Sequence, residues 1–312
     1  MENPFQYAQG KKVVIIEKQR KEIKKLYSEM LEEVRKDIRR VEHKKDISSS
    51  MRTKYLKGIE SQIKEYMKNV DKKTETLIEL NMKTMVSELV ENNNMFIKKL
   101  GFNFYTGDKK IKENVVNRII TGKVYSNKFS LSSSIWGDNK KKLQEIHNVI
   151  AKGVAQNKSL FEISSNLERY VNPLARKKWS WDAMVPGSRR KIDYNAQRLA
   201  RTMIQHAYQE SFVAATKNNP FIDAYQWITS GSDKVCPICI DRETVDHYGL
   251  GPGIYPKDSL PLDHPNGMCI FDVVITMSEA EIYDAIADWY FDEGDDDMNN
   301  KIEKYVKEIK NF

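Results

Sequence analysis

The soft-ligand chemistry of this 312-residue chain is concentrated in one short window. Cys236-Pro237-Ile238-Cys239 is a CxxC pair, and after 24 intervening residues His264-Pro265-Asn266-Gly267-Met268-Cys269 adds an imidazole and the third and last thiol. A CxxC turn lets two sulfurs converge on one ion without strain, and Cys3His is a tetrahedral donor set of the kind that holds zinc. Four protein ligands leave no open coordination position. Cys236, Cys239, His264 and Cys269 therefore read as a structural zinc site, with His247 as the alternative to His264. Reduced thiols packed in a small core, or a disulfide, are the other readings of the same cysteines. Pro237, Pro252, Pro256, Pro261 and Pro265 all fall within 29 residues here, in a loop that gains order from such a cross-link. His206 lies in a helical pattern with no partner visible from the sequence and reads as structural or exposed.

The same window admits an enzyme. Metal-dependent nucleases of the His-Asn-His type also place a CxxC before an Asp-His pair, and this chain has both Asp246-His247 and Asp263-His264. In such enzymes a histidine activates water while a metal stabilises the phosphate transition state. The second CxxC of zinc-bearing members and a downstream Asn/His metal helix are absent, so no catalytic residue is expected. A zinc-containing nucleic-acid-binding protein is a third reading. Phosphate-loop and dinucleotide glycine motifs do not occur.

The elements that must position these residues are mostly helical. Ile23, Tyr27, Met30, Val34, Ile38 and Val41 step by three and four, the seam of a long amphipathic helix over about 11–45. Ser48-Ser49-Ser50 can cap a second helix, over 51–100, that ends at Gly101. Two helices joined by a few residues pair as an antiparallel hairpin. Asp71-Lys72-Lys73-Thr74 and Glu91-Asn92-Asn93-Asn94 are expected as breaks in the second. Further helices are predicted at 109–121, 138–152 and 159–170, with Ser130–Ser134 as a loop. A basic, aromatic-bearing connector over 177–191 leads into a helix over 192–217 whose small-residue face is Ala196, Ala200, Met203, Ala207, Tyr208, Ser211 and Ala215. Strands are expected at 224–229 and 270–275. Ser278-Glu279-Ala280-Glu281 reads as a capping box for a helix to about 291, and an acidic linker over 292–297 precedes a last helix over 299–311. The fold class is thus mainly α: a long N-terminal helical hairpin and helical body with a small Cys/His metal-stabilised α+β module near the C-terminus. The expected divisions are 1–100, 101–187, 188–276 and 277–312.

Charge is polarised along the chain. Residues 1–200 carry 42 Lys and Arg against 24 Asp and Glu, a net +18, whereas 201–312 carry 9 against 20, a net −11. A basic helical body offers sequence-independent contacts to acidic partners, DNA phosphates included. The alternative is a set of solvated helix faces. No apolar run approaches the roughly 18–20 residues of a membrane span, and the N-terminus lacks a basic-then-apolar signal layout. Synthesis in the cytosol is the expectation, which favours metal binding or free thiols over disulfides.

One ordered set of motifs goes further. Arg198-Leu199-Ala200-Arg201-Thr202-Met203-Ile204, then Tyr225-Gln226-Trp227-Ile228-Thr229, then Asp233-Lys234-Val235-Cys236-Pro237-Ile238-Cys239, then Leu260-Pro261-Leu262-Asp263-His264-Pro265 and Cys269 resemble the head morphogenesis (minor head protein) family of tailed bacteriophages, which includes the phage Mu F protein. The resemblance covers about residues 190–275. The family typically ends this region His-Pro-x-Cys-Arg-Cys; here it is one residue longer and has a single cysteine. The resemblance implies a low-copy virion component made in the host bacterial cytoplasm and located in the phage head or at the portal vertex. Its implied partners are the portal protein and the capsid and scaffold proteins; the basic first 200 residues, by their charge alone, add double-stranded DNA as a partner. Its implied roles are procapsid assembly and DNA packaging and ejection.

Overall fold

The computed structural model describes residues 4–42, 49–102, 106–126, 128, 130–156, 162–163, 194–232 and 235–310. Among them are eight helices: α1 Gln6–Glu42, α2 Ser49–Lys99, α3 Asp108–Ile120, α4 Leu131–Ala155, α5 Tyr194–Thr216, α6 Pro237–Thr244, α7 Glu279–Phe291 and α8 Asp296–Lys310. Strands β1 Ala224–Ile228, β2 Ile254–Pro256 and β3 Ile270–Val274 form one antiparallel sheet in the order β2-β1-β3. The chain is mainly α with a small α+β region near its C-terminus, as its patterning predicts. Among the described residues no helix is long and apolar enough to cross a membrane. The predicted helix over 159–170 falls largely, and the connector over 177–191 wholly, outside the described residues.

Two compact units are present: one gathers Met1–Ile16, Glu79–Val124 and Thr202–Phe312, the other Glu17–Ile78 and Tyr125–Arg201. In the second unit α1 buries Ile23, Tyr27, Met30, Leu31 and Val34, and α2 buries Leu56, Ile59, Ile63, Met67 and Val70. Leu26 and Met30 share a cleft with Tyr66 and Val70, and the Tyr66 hydroxyl donates to Asp37 at 2.9 Å. In the first unit Lys11 meets Glu88 at 3.4 Å. Both sets of contacts run antiparallel, the pairing expected of the hairpin.

α2 passes unbroken through both segments expected to interrupt it. The reason is tertiary burial: Asp71, Thr74, Asn92 and Asn93 are all buried, and Asn92 and its neighbour Asn94 find partners outside the helix. Asn92 accepts the Ala8 N–H at 2.8 Å and donates to the Pro4 carbonyl, satisfying main-chain groups where α1 begins. Asn94 exchanges two bonds with the main chain of Thr106. These amides would compete with an isolated helix; here they fasten it to neighbours.

Boundaries moved for similar reasons. α1 begins at Gln6, five residues before Lys11, because Phe5 and Ala8 are buried. The Ser130–Ser134 run starts α4 instead of forming a loop, the Ser130 hydroxyl accepting the Ser133 N–H at 3.1 Å. α8 begins inside the acidic run, where Asp296 and Asp297 meet the positive end of the helix dipole. Gly101, at φ +95°, closes α2 with Phe102 N–H on the Ile97 carbonyl and its own N–H on that of Lys98. The Ser278/Glu281 capping box is formed as predicted.

In the first unit the core near the sheet is aromatic. Phe271 of β3 stacks on Tyr208 of α5 at 5.9 Å and meets Trp227 of β1 edge-on at 5.1 Å. Phe212 of α5 sits 5.0 Å from both Tyr225 and Phe5. All six side chains are at most 2% exposed, so α5 covers one face of the sheet with the N-terminal residues behind it. The small-residue face predicted for α5 is buried throughout.

Candidate metal centre

Cys236 is the N-cap of α6, with Pro237 at the first helical position, where its missing N–H costs nothing. The Cys236 carbonyl accepts from Cys239 and Ile240, and its sulfur accepts the Cys239 N–H at 3.4 Å. This tight turn brings both CxxC sulfurs to one side. The second half of the site comes from the loop between β2 and β3. His264 to Gly267 form a turn with Asn266 at φ +70° and Gly267 N–H on the His264 carbonyl. A Cβ at Gly267 would collide with the Asp263 carboxylate, which Gln205 and the His264 and Cys269 N–H groups hold in place, so glycine is favoured there.

The two halves converge. His264 Nε2 is 3.1 Å from Cys236 Sγ and 3.1 Å from Cys239 Sγ. Cys239 Sγ is 3.3 Å from Cys269 Sγ, well beyond a 2.05 Å disulfide bond. The donors form two triads sharing Cys239: Cys236, Cys239 and His264, and Cys239, Asp263 and Cys269. These residues are positioned to bind a metal ion. Ligand atoms around a tetrahedral ion with bonds of about 2.0–2.3 Å lie about 3.5–3.8 Å apart, so the Cys236, Cys239 and His264 atoms need open by only about half an ångström, whereas Cys269, in the second triad, has to swing inward to complete a four-ligand set. His247 belongs to neither triad; its Nε2 pairs with Asp241 Oδ2 at 3.1 Å on the surface. Asp246 spends one oxygen on the N–H groups of Tyr248, Gly249 and Leu250.

Burial raises the Cys236 thiol pKa, and the bond to Cys269, then burial, holds the Cys239 thiol far above its ordinary value. The bond to Cys239 pushes the His264 imidazole up to about 9. Without a cation Cys236, Cys239 and His264 therefore hold their protons more tightly than usual. A bound divalent ion reverses this, since the thiolate and the neutral imidazole are the forms that ligate.

What holds the loop is a row of amides on α5 that its small-residue pattern concealed. Gln209 donates to the Pro261 carbonyl at 2.7 Å and accepts the Asp263 N–H at 2.8 Å. Gln205 donates to both the Cys269 carbonyl and Asp263 Oδ2 at 2.9 Å. His206, 2% exposed, meets the Asp263 carbonyl at 2.9 Å, and Thr202 accepts the Asn266 N–H at 2.9 Å. His206 is thus structural, with a partner 57 residues away. Burial lowers its pKa, favouring the neutral ring. Asp263 accepts from Gln205, His264 and Cys269, which makes it the carboxylate that orients the loop. A helical period of three and four with two glutamines and a histidine was the available signal. From α6, Arg242 donates to the Leu262 carbonyl at 3.2 Å and lies 4.7 Å over the Trp227 ring.

Comparison of the chain with protein-family models, with curated proteins and with solved structures found no match.

Proposed function

We propose that the chain is a minor head protein of a tailed bacteriophage, a low-copy component of the portal vertex that aids procapsid assembly and DNA passage. The observation that carries this reading is the order of motifs on residues 190–275, together with their assembly around one cysteine cluster. Thr202 and His206 of α5 meet the loop bearing Asp263-His264-Pro265, His264 of that loop meets the Cys236–Cys239 turn, and Arg242 of α6 lies over Trp227 of β1. The ion in this reading is zinc, because three sulfurs and an imidazole suit it and a filled tetrahedron has no place for substrate. The protein then works by docking rather than by catalysis. Ile238, Ile240, Val245, Tyr248 and Leu250 of the module are all more than 40% exposed, an apolar rim beside the centre suited to a protein partner. DNA contact would fall to the basic first 200 residues.

The test is co-expression with the portal and capsid proteins of the same genome, followed by analysis of purified procapsids. Incorporation at a few copies per particle is the expected result. Exclusion from particles removes this function. Plasmid cleavage in Mg²⁺ that is lost in His247→Ala would replace it with the nuclease reading.

A further inference from the structure

Lys12, in the second turn of α1, is 1% exposed. Its Nζ donates to the Cys269 carbonyl at 2.9 Å and to Gln205 Oε1 at 2.8 Å, and it lies 4.2 Å from the Tyr208 ring centroid. Gln205 in turn donates to Asp263 Oδ2, which also accepts the Cys269 N–H. A buried ammonium is costly unless negative charge lies nearby. A divalent ion held by three thiolates and a neutral imidazole leaves a net negative centre, and Asp263 adds to it.

We propose that Lys12 is the counter-charge of the metal centre, so that ion binding and docking of the N-terminal helix onto the module strengthen each other. This rests on the reading of the cluster as a metal site. Lys12 is a positioning residue that acts through the Cys269 carbonyl and through Gln205 and Asp263. The same stretch is fastened by Phe5 against Phe212 and by Ala8 N–H on Asn92, so its docking is a defined state. Reciprocity follows from linkage: whatever the docked helix adds to ion affinity, the ion adds to docking.

The experiment uses the full chain. Zn²⁺ affinity is measured by competition with a chromophoric chelator for wild type, Lys12→Met and Lys12→Arg, with Co²⁺ spectra of each. Amide exchange over residues 6–16 of the wild type is followed with and without Zn²⁺. Lys12→Met is expected to bind Zn²⁺ about 10–100-fold more weakly and to shift the thiolate-to-cobalt band, with Lys12→Arg recovering most of the affinity. Exchange over 6–16 is expected to slow at least about tenfold when Zn²⁺ is added. Equal Zn²⁺ affinity of wild type and Lys12→Met, or exchange indifferent to Zn²⁺, overturns the proposal while leaving the centre intact. A wild type that takes up no Zn²⁺ overturns the centre and this proposal together. If Lys12→Met fails to fold, the wild-type exchange comparison decides.

Discussion

Along α1 and α2 between residues 17 and 78, order comes from repetition. Ile23, Tyr27, Met30 and Val34 supply one buried stripe and Leu56, Ile59, Ile63 and Met67 the other. Their charged faces carry pairs such as Lys36–Glu33 at 2.6 Å and Lys64–Glu60 at 2.9 Å, each worth about 0.3–0.5 kcal/mol. Around the cysteines nothing repeats. The loop over 257–269 lies among prolines, and single side chains on α5 and α6 hold its main chain. Redundant packing should lose stability in small steps; the module should lose it at a few residues and all at once. The largest expected effect therefore falls on Cys239, the donor common to both triads. Cys239→Ser should weaken ion binding beyond the roughly 10–100-fold typical of outer-shell changes and destabilise the module. A chelator added to wild type should do the same while the far-ultraviolet signal of the long helices persists. Loss of that helical signal on chelation would erase the contrast.

Phe271 comes next. It is fully buried and touches Tyr208, Phe212 and Trp227, so Phe271→Ala should cost about 3–5 kcal/mol by urea unfolding. Ile63→Ala, equally buried in the α2 stripe, should cost about 2–3 kcal/mol and leave ion affinity unchanged. Equal coupling of both variants to ion affinity would show that packing in the stripe and in the module is one cooperative system.

How far each region could be read in advance follows from the range of its interactions. The α1 seam, the Ser278/Glu281 box and the Gly101 stop are visible because each is decided within a few residues. The CxxC turn is local too, and its thiols announce their chemistry. Asn92 misled because its partner, Ala8, is 84 residues away, and an unpartnered amide in a helix reads as a break. Nothing local distinguishes Lys12 from its neighbours in sequence, because Gln205, a partner of its ammonium, is 193 residues distant. The short strand β2, three residues with Pro256 at its end, carries too little pattern to register. Asp263 was visible only as part of an Asp-His pair, because its role depends on groups from α5 and the loop arriving together. Asn92→Ala measures this directly. It removes both bonds to the start of α1, and the expected cost is about 1–3 kcal/mol with faster amide exchange over residues 5–12. Unchanged exchange would mean that the amide is incidental and that Phe5 and Lys12 fix the terminus without it.

The smallest effect separates the regions by charge. Asp272 of β3 is half-buried, and burial pushes its carboxyl up to about 6 from the ordinary 3.8. The folded state therefore favours the neutral acid. Its contribution to stability is fully present below the unfolded value near 3.8 and is lost as pH rises through about 6. Asp272→Asn keeps an acceptor for the Val273 N–H, which the carboxylate now accepts at 2.8 Å, but never ionises. It should match wild type below about pH 4 and exceed it by about 1 kcal/mol at pH 8, allowing for solvent screening at a partly exposed position. Urea midpoints at the two pH values decide the matter. An equal shift at both would place the effect in side-chain packing, and no shift at either would mean that water reaches the carboxylate freely, leaving this edge of the sheet as solvated as the charged faces of α1 and α2.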